Sequence, residues 1–408
     1  MADKTKSAGS AYGWAVVVVT MLAGFVPASN MAKVTSLAPV VSQTFGFNPD
    51  VLGWVIALFY VMGIVMAFPT TAFINKLGIR GAVTIAVATG VIGGIMGAVS
   101  GTNAALFCVS RVFEGAGFGI MGVAGSSAIA PWFVPEKRSV PLGIWSMWVA
   151  AMMCICPILF GWVVDTLGMS WETVWWGCLV YDIVALVLFL VVYRAPADPA
   201  MSEEEIAAAN RGKAVFARAY KSKMLWGLAL IFLFDEAAFM AINGFLTTYI
   251  NTELGTSLVF ATGISSLFGL AGAIFPPISG FIAQKWNAHR WVLLFALIVG
   301  IIYTCTVFTL RIPVLYYPMA ILAGIVGGFV PGMLWQFTPN TVEPDDIPAA
   351  NSLMAFTQNV GMLIGAVVMG GAITGLGWSM GSWVAMAPCY IICLIIYFAL
   401  GMQKKLKL

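Results

Sequence analysis

Residues 71–80 read TAFINKLGIR and residues 280–289 read GFIAQKWNAH, so a similar polar turn occurs twice in the chain. An offset of 209 residues aligns the two turns and places Lys76 opposite Lys285. Both turns follow a long apolar segment and precede another, at the corresponding place in each half of the chain. Self-similarity at a fixed offset indicates an internal repeat. The sequence therefore predicts two structurally similar halves.

The residues around these turns are unusually apolar. Of the 408 residues, 61% are hydrophobic and only 9% are charged, whereas soluble domains carry about 25% charged residues. A membrane-spanning helix needs about 20 apolar residues, and the chain contains twelve such segments: 12–34, 51–75, 81–100, 104–130, 140–163, 173–193, 224–250, 258–283, 290–310, 314–338, 349–376 and 380–402. Their hydrophobicity is continuous rather than alternating, which excludes a transmembrane β-barrel. We expect an all-α integral membrane protein.

The distribution of Lys and Arg predicts the orientation of these helices. With a cytoplasmic N-terminus, all Lys and Arg except Lys33, Arg111 and Arg311 fall in cytoplasmic segments or at cytoplasmic helix ends. Both termini are then cytoplasmic. Each half begins on the same side and contains an even number of helices, so the repeats are parallel. We expect an N-terminal six-helix bundle at 1–194, a polar cytoplasmic linker at 195–222, and a C-terminal six-helix bundle at 223–408.

Composition also excludes several classes of function. The net charge of +3 is too small to indicate a nucleic-acid-binding protein. The single histidine, His289, and seven cysteines without CxxC spacing argue against a metal site. The chain has no GxxxxGK[ST] phosphate-binding loop, so ATP is not the expected energy source. We expect no cofactor, no metal and no enzymatic activity.

The duplicated turn and one further motif resemble the major facilitator superfamily of secondary transporters. The family turn has the form GxLaDRxGRR, and TAFINKLGIR keeps Lys76, Gly78 and Arg80 but has Asn75 in place of Asp. The segment RVFEGAGFG (111–119) is similar to the RxxqGxG motif of helix 4 in that family. The resemblance implies twelve transmembrane helices in two parallel six-helix bundles, with helices 1, 4, 7 and 10 around a central cavity.

The resemblance further implies alternating access and a cytoplasmic gate formed by the repeated turns. The gating residues that it indicates are Asn75, Lys76, Arg80, Gln284 and Lys285. The start YGWAVV (12–17) and Lys33 are similar to monocarboxylate transporters, although residues 258–283 lack the charges that those proteins carry in helix 8. The segment from Arg111 to LGIW (142–145) resembles anion permeases of the cyanate type equally well.

Two embedded cations are candidates for substrate binding. A charge at the centre of a bilayer helix costs at least ~2.5–3.5 kcal/mol, so Lys33 and Arg111 are functional candidates. Either can contact a substrate carboxylate, for which the Arg guanidinium has matching geometry. Alternatively, Lys33 extends to the outer surface, and Arg111 forms a structural ion pair with Glu114 on the same helix face. In a switchable arrangement, Glu114 holds Arg111 until an anion or a proton displaces it.

Two adjacent carboxyl groups are candidates for proton coupling. Asp235 and Glu236 lie near the middle of helix 7, which carries no Lys or Arg between residues 224 and 250. Withdrawal from water favours the protonated form of a carboxyl group, so we expect coupling at Asp235 or Glu236, with Glu114 as a further candidate. The alternative is a salt bridge to Arg111 or Lys33. Asp182, on the peripheral helix 6, ranks lower.

Neutral polar residues complete the predicted binding site. Asn30 and Asn243 lie in the outer halves of helices 1 and 7, and helix 10 carries Trp335, Gln336 and Asn340. Their side chains can bind substrate oxygens. Alternatively, Gln336 and Asn340 simply fix the cytoplasmic end of helix 10.

The sequence thus favours a secondary active transporter that moves a small organic anion, expected to be a carboxylate, with proton coupling. The alternatives are a proton-driven exporter of neutral or cationic compounds and an anion exchanger. The expected partners are an anionic small-molecule substrate, protons and the lipid bilayer. We expect a monomer in the inner (plasma) membrane that binds no nucleic acid.

Overall fold

The described residues of the chain form a series of long apolar helices. A computed structural model describes residues 11–134, 137, 139–196, 218–343 and 346–405. The helical spans long and apolar enough to cross a membrane are α1 (Tyr12–Ser36), α2 (Pro49–Met66), α3 (Lys76–Ala98), α4 (Ala104–Trp132), α5 (Val140–Thr166), α6 (Trp171–Val192), α7 (Lys223–Glu253), α8 (Leu258–Lys285), α9 (His289–Thr306), α10 (Pro313–Thr341) and a final span, Ala349–Ala399. These bounds agree closely with the segments predicted from hydrophobicity.

The final span contains two helices. It has 51 residues, whereas one crossing of the membrane requires about 20. The backbone leaves the helical region at Gly377, where φ is 73° and ψ is 178°. Gly78 makes the same kind of break near the start of α3, with φ 70°. Glycine adopts a positive φ without the steric cost that a Cβ imposes. We therefore divide the final span into α11 (349–376) and α12 (378–399), which gives twelve membrane helices within the part of the chain that the structure describes.

Short polar side chains begin several of these helices. The Asn103 side chain accepts a hydrogen bond from the Leu106 backbone N–H at 3.1 Å at the start of α4. Ser222 does the same for the Leu225 N–H at the start of α7, at 3.2 Å. Each cap satisfies one of the N–H groups that a helix N-terminus leaves without an intrahelical partner. Outside the twelve spans, a short helix at Ala38–Phe45 joins α1 to α2.

The chain divides into two compact units that do not coincide with the two halves of the sequence. Unit 1 comprises Met1–Val34 and Leu58–Asn210, and unit 2 comprises Thr35–Ala57 and Arg211–Leu408. The end of α1 and the start of α2 thus belong to unit 2. The predicted linker, 195–222, lies largely outside the described residues, so its role as a boundary stays a prediction.

Close packing against α11 explains why the start of α2 belongs to unit 2. The Asp50 N–H donates a hydrogen bond to Thr374 Oγ1 at 3.1 Å. A Cβ on Gly53 would lie 2.4 Å from the Ala366 carbonyl oxygen, so only glycine permits this approach. Small residues that let helix backbones approach are common where membrane helices pack.

Candidate functional site

An ion-pair cluster lies at the centre of unit 1. Helix α4 carries Arg111 and Glu114 three residues apart, which places both side chains on one helix face. Glu114 Oε2 pairs with Arg111 Nη1, and Glu114 Oε1 accepts a hydrogen bond from Lys33 Nζ of α1 at 2.5 Å. All three side chains are buried. A single carboxylate therefore balances two embedded cations.

The cluster extends from α4 through α1 to α6. Arg111 Nη1 also donates to the Asn30 carbonyl oxygen at 2.9 Å. The Asn30 side chain points the other way, and its Nδ2 donates to Asp182 Oδ2 at 3.5 Å. Lys33 Nζ lies 4.8 Å from the centre of the Trp175 ring. The network thus joins two cations and two carboxyl groups inside unit 1.

Helix α3 provides the space for this network. Gly90, Gly93 and Gly97 recur at helical spacing, so they lie along one face of α3. A Cβ on Gly93 would lie 2.6 Å from Glu114 Cγ, and one on Gly97 would lie 2.4 Å from Trp175 Nε1. A side chain at either position would therefore displace the polar groups. Glycines on the packing face of α3 thus shape the polar network.

Unit 2 holds its embedded carboxyl groups in a different way. Asp235 and Glu236 are both buried on α7. The Tyr390 hydroxyl of α12 donates to Asp235 Oδ1 at 2.8 Å, and Gln358 Nε2 of α11 donates to Glu236 Oε1 at 2.7 Å. Adjacent residues on a helix point about 100° apart, which is why the two carboxyl groups contact different helices. Each has a neutral hydrogen-bond donor as its partner.

The neutral residues predicted to bind substrate are not brought together in one place. The Asn243 side chain donates to the Phe239 carbonyl of its own helix at 2.9 Å. Trp335 packs edge-on against Phe232, with ring centres 5.7 Å apart. Asn340 is exposed and lines a separate pocket. Their roles in binding substrate stay predictions.

Gln336 faces the duplicated turn of unit 2. It lines a cavity of about 600 Å³ together with Gly280, Gln284, Asn287 and His289. The structure therefore brings Gln336, predicted to bind substrate, beside Gln284, which was predicted to act in gating. This polar cavity lies at the end of α8.

The other predicted gating residues lie at exposed positions. Lys76 and Arg80 are exposed, and Arg80 Nη2 donates to the Leu190 carbonyl at 2.6 Å. Lys285 is exposed and lies 5.5 Å from the centre of the Trp286 ring. The side chain of Asn75 lies outside the described part of the structure. Exposed basic side chains are consistent with the cytoplasmic placement predicted for both turns.

Three residues enter the site without a prediction from the sequence. Tyr390 and Trp175 lie in helices that the sequence treats as ordinary apolar spans, and only the three-dimensional packing brings them to embedded charges. Arg218 binds Asp346 through Nε at 2.7 Å and Glu343 through Nη1 at 2.7 Å, just before α7 begins. Asp182 was ranked low because it lies on a peripheral helix. Its signal was its charge within an apolar span, which is costly wherever the helix lies.

No group of three or more His, Cys, Asp or Glu side chains that could hold a metal ion occurs among the described residues. The seven cysteines are free thiols. What the structure offers instead is an ion-pair network in unit 1 and two carboxyl groups with neutral partners in unit 2.

Comparison with known proteins relates this architecture to membrane transporters. The family model of the Major Facilitator Superfamily matches residues 16–366. The 4-hydroxybenzoate transporter PcaK of Pseudomonas aeruginosa is 22% identical, over 91% of this chain and 88% of that protein. The cis,cis-muconate transport protein of Acinetobacter baylyi is 23% identical, over 71% of this chain and 70% of that protein.

A solved structure supports the same fold. A bacterial homologue of the human lysosomal transporter Spinster, in an inward-facing and unoccupied conformation, has a TM-score of 0.75 and 19% sequence identity. The match covers 95% of this chain and 97% of that chain. A family match over most of the sequence, the helical fold and the related transporters agree with the resemblance carried by the duplicated turn. The chain therefore belongs to the Major Facilitator Superfamily and is a multi-pass membrane transporter, not an enzyme.

Proposed function

We propose that the protein takes up a small organic acid, most simply an aromatic carboxylate, across the plasma membrane together with protons. The observation that carries this proposal is the pair of buried carboxyl groups in unit 2, Asp235 and Glu236, whose partners are neutral donors. The similarity to transporters of 4-hydroxybenzoate and muconate supports an organic acid as substrate.

Proton coupling at this pair follows from the nature of its partners. The Tyr390 hydroxyl and the Gln358 amide can hydrogen-bond to a carboxyl group in either protonation state. A buried carboxylate paired with a cation is instead held in its charged form. Asp235 and Glu236 are adjacent, so binding of a proton at one changes the affinity of the other for a proton. This arrangement suits a group that gains and loses a proton in each transport cycle.

Recognition of the anion is assigned to the cations of unit 1. Lys33 and Arg111 share one counter-ion, Glu114, so the three groups together carry one excess positive charge when all are ionised. A substrate carboxylate can replace Glu114 as the partner of Arg111, because a guanidinium can donate two parallel hydrogen bonds to one carboxylate. Glu114 then acts as the exchangeable counter-ion, and its proton-coupling role remains secondary to that of unit 2.

The distribution of basic residues supports the proposed membrane orientation. Both termini are placed in the cytoplasm by the bias of Lys and Arg between the two sides of the helices. We assign a monomer as the transporting form, since the cations and carboxyl groups used here all lie within one chain.

Transport by reconstituted protein tests this proposal. Purified protein in liposomes is given an inward proton gradient and radiolabelled 4-hydroxybenzoate, with an uncharged aromatic alcohol and an aromatic amine as comparison solutes. Accumulation of the acid alone is expected. Of the variants Asp235→Asn and Glu236→Gln, the one that removes the coupling carboxyl group is expected to lose accumulation driven by the pH gradient. Exchange at equal concentrations is expected to continue in that variant, because exchange does not require net release of the proton.

The comparison solutes give the experiment its discriminating power. Accumulation of the amine with proton efflux would instead identify an exporter of cations. Exchange of anions without any response to the pH gradient would identify an anion exchanger. If both single variants concentrate the acid as the wild type does, neither carboxyl group is the coupling site.

A further inference from the structure

Asp182 is a buried carboxyl group that the proposed function does not use. It lies on α6 with no exposed surface. Its Oδ2 accepts one long hydrogen bond, 3.5 Å from Asn30 Nδ2, and its Oδ1 has no partner in the described part of the chain. Buried polar groups in native proteins are nearly always hydrogen-bonded, so an exception requires an explanation. Asp182 is therefore the carboxyl group of this network that is incompletely paired; Asn30 Oδ1, Arg111 Nε and Trp175 Nε1 also have no partner among the described residues.

Helix α1 brings one cation, Lys33, close enough to Asp182 for the two charges to interact. Helix α1 presents Asn30 and, one turn further along the same face, Lys33. Helix α3 presents Gly90, where a Cβ would lie 3.8 Å from Asp182 Oδ2, so no side chain intervenes on that side. The charged and titratable groups that act on this position are Lys33 and Glu114 in the network, and Cys178 and Tyr181 on α6. Thiols and phenols are neutral at pH 7 at their ordinary pKa values.

We propose that Asp182 is a second proton-binding site, in unit 1, and that its proton decides which carboxylate Lys33 binds. With Asp182 protonated, Lys33 stays on Glu114, as the structure shows at 2.5 Å. With Asp182 ionised, its unpartnered Oδ1 attracts the Lys33 ammonium, which a flexible four-carbon chain allows to move. Glu114 is then left with Arg111 alone.

Opposing effects act on the charge of Asp182. Burial disfavours the carboxylate, and a weak hydrogen bond from one amide offsets little of that cost. The nearby Lys33 ammonium favours the carboxylate. Glu114 differs, because it makes direct ion pairs with both Lys33 and Arg111. We therefore place the exchangeable proton of this unit on Asp182.

The switch goes beyond the proposed coupling site, because it acts within unit 1 and does not depend on which substrate is carried. Its consequence is that the proton on Asp182 controls whether Glu114 is shared between Lys33 and Arg111 or pairs with Arg111 alone. The charge balance around Arg111 changes with the position of Lys33, so the readiness of Arg111 to accept a substrate carboxylate depends on a proton more than one helix away.

Trp175 reports the position of Lys33. The ammonium lies 4.8 Å from the ring centre, and a cation over an indole interacts with its π-system. The test uses full-length protein in detergent and follows tryptophan emission as the pH is raised from acidic to alkaline values. Subtracting the emission of Trp175→Phe isolates this residue from the other tryptophans. We expect a pH-dependent transition in the difference signal.

Variants of Asp182 decide the interpretation. Asp182→Asn keeps an oxygen for Asn30 and mimics the protonated group, so it is expected to fold and to lose the transition. Asp182→Glu retains a carboxyl group and is expected to keep a transition with a displaced midpoint. Asp235→Asn, in unit 2, is the matched control and is expected to leave the transition unchanged.

Two results would overturn the proposal. One is a wild-type difference signal without a pH transition. The other is a transition that persists unchanged in Asp182→Asn. Because no substrate is present, these outcomes are independent of the transport assay that tests the proposed function.

Discussion

The two units embed their charges in opposite ways. In unit 1, two cations share Glu114, and removal of that one carboxylate leaves both without their counter-ion. In unit 2, Asp235 and Glu236 have neutral partners, so either group can lose its charge without leaving an ion unpaired. The two halves repeat the same turn, yet one buries ion pairs and the other buries carboxyl groups with neutral partners.

This difference separates structural from functional sensitivity. A buried ion whose partner is removed is strongly destabilising, whereas a neutral hydrogen-bonded pair tolerates an isosteric change far better. We therefore expect neutralisation of Glu114 to damage the stability of unit 1, and neutralisation of Asp235 or Glu236 to damage the transport coupling of unit 2.

The largest effect is expected from Glu114→Gln. The amide removes the counter-ion of both Lys33 and Arg111, and breaking a buried pair in this way costs about 3–5 kcal/mol. The matched control is Glu236→Gln in unit 2, which retains an oxygen for the Gln358 amide and is expected to cost less than about 1.5 kcal/mol. Chemical unfolding in detergent, followed by tryptophan emission, measures both.

Equal stability of these two variants would remove the contrast between the units. It would mean that Lys33 and Arg111 find other anionic partners or become hydrated when Glu114 is neutral. Restoration of stability in the double variant Glu114→Gln, Lys33→Met would support the ion-pair explanation, because the second change removes one of the orphaned charges.

Much of the fold could be predicted from the sequence, because each membrane helix is recognisable from its own run of apolar residues. About 20 consecutive apolar residues define a span wherever they occur, and the repeated turn sets the relation between the halves. Apart from the end of α2, the helix bounds shifted by only a few residues. The membership of Thr35–Ala57 in unit 2 could not be predicted, since it depends on Gly53 and Ala366, which are far apart in the sequence and close in space.

The candidate site was predictable as a set of residues but not as a set of pairs. The cost of burying a charge identifies Lys33, Arg111, Glu114 and the carboxyl groups of α7 from the sequence alone. Which partner each one has depends on helix rotation, and hydrophobicity does not fix rotation when a helix is apolar on all sides. The contact between Asp235 and Tyr390, two residues on α7 and α12, carries no local signal.

An intermediate effect is expected where helices cross at glycine, and here the units should behave alike. A Cβ on Gly115 would lie 2.0 Å from the Phe59 carbonyl oxygen in unit 1, and one on Gly365 would lie 2.0 Å from the Ala237 carbonyl oxygen in unit 2. Because the obstructing atoms belong to the backbone, Gly115→Ala and Gly365→Ala must separate two helices. Each is expected to cost about 1–3 kcal/mol.

Two other glycines control for the loss of glycine itself. Gly122, also on α4, and Gly375, also on α11, have no atom within 4 Å of the added Cβ. Alanine at either position should be neutral or stabilising by up to about 1 kcal/mol, since alanine favours the helix. The same unfolding measurement applies, and equal effects at all four positions would contradict a crossing-specific role.

A smaller effect is expected from Tyr390→Phe, which removes the hydroxyl that donates to Asp235. The loss is expected to be about 1 kcal/mol when Asp235 is protonated and about 1.5–3 kcal/mol when it is ionised, because hydrogen bonds to charged groups are stronger. Unfolding of the variant at low and at high pH therefore reads the charge state of the carboxyl group. The control is Tyr397→Phe, also on α12, whose hydroxyl donates to the Arg290 carbonyl at 2.9 Å and should show no such dependence.

The smallest effect on stability is expected at the duplicated turns, where the units again correspond. Lys76 and Lys285 are exposed, so alanine at either position should change stability by no more than about 0.5 kcal/mol. Their recurrence at the same turn predicts a role in the transition between transport states rather than in binding. Each variant should therefore slow substrate exchange while its affinity for substrate stays unchanged.

Exchange rate and equilibrium binding, measured on the same preparations, separate these two roles. Lost affinity with unchanged exchange would place the lysines in the binding site instead. Lys285 lies close to the Trp286 ring, and this contact holds its side chain near the turn, where an exposed lysine would otherwise sample many conformations. If the gate relies on charge alone, Lys285→Arg should exchange at the wild-type rate. If it relies on the compact ammonium held at this ring, even that substitution should slow the cycle, since the two cations differ in shape and hydration.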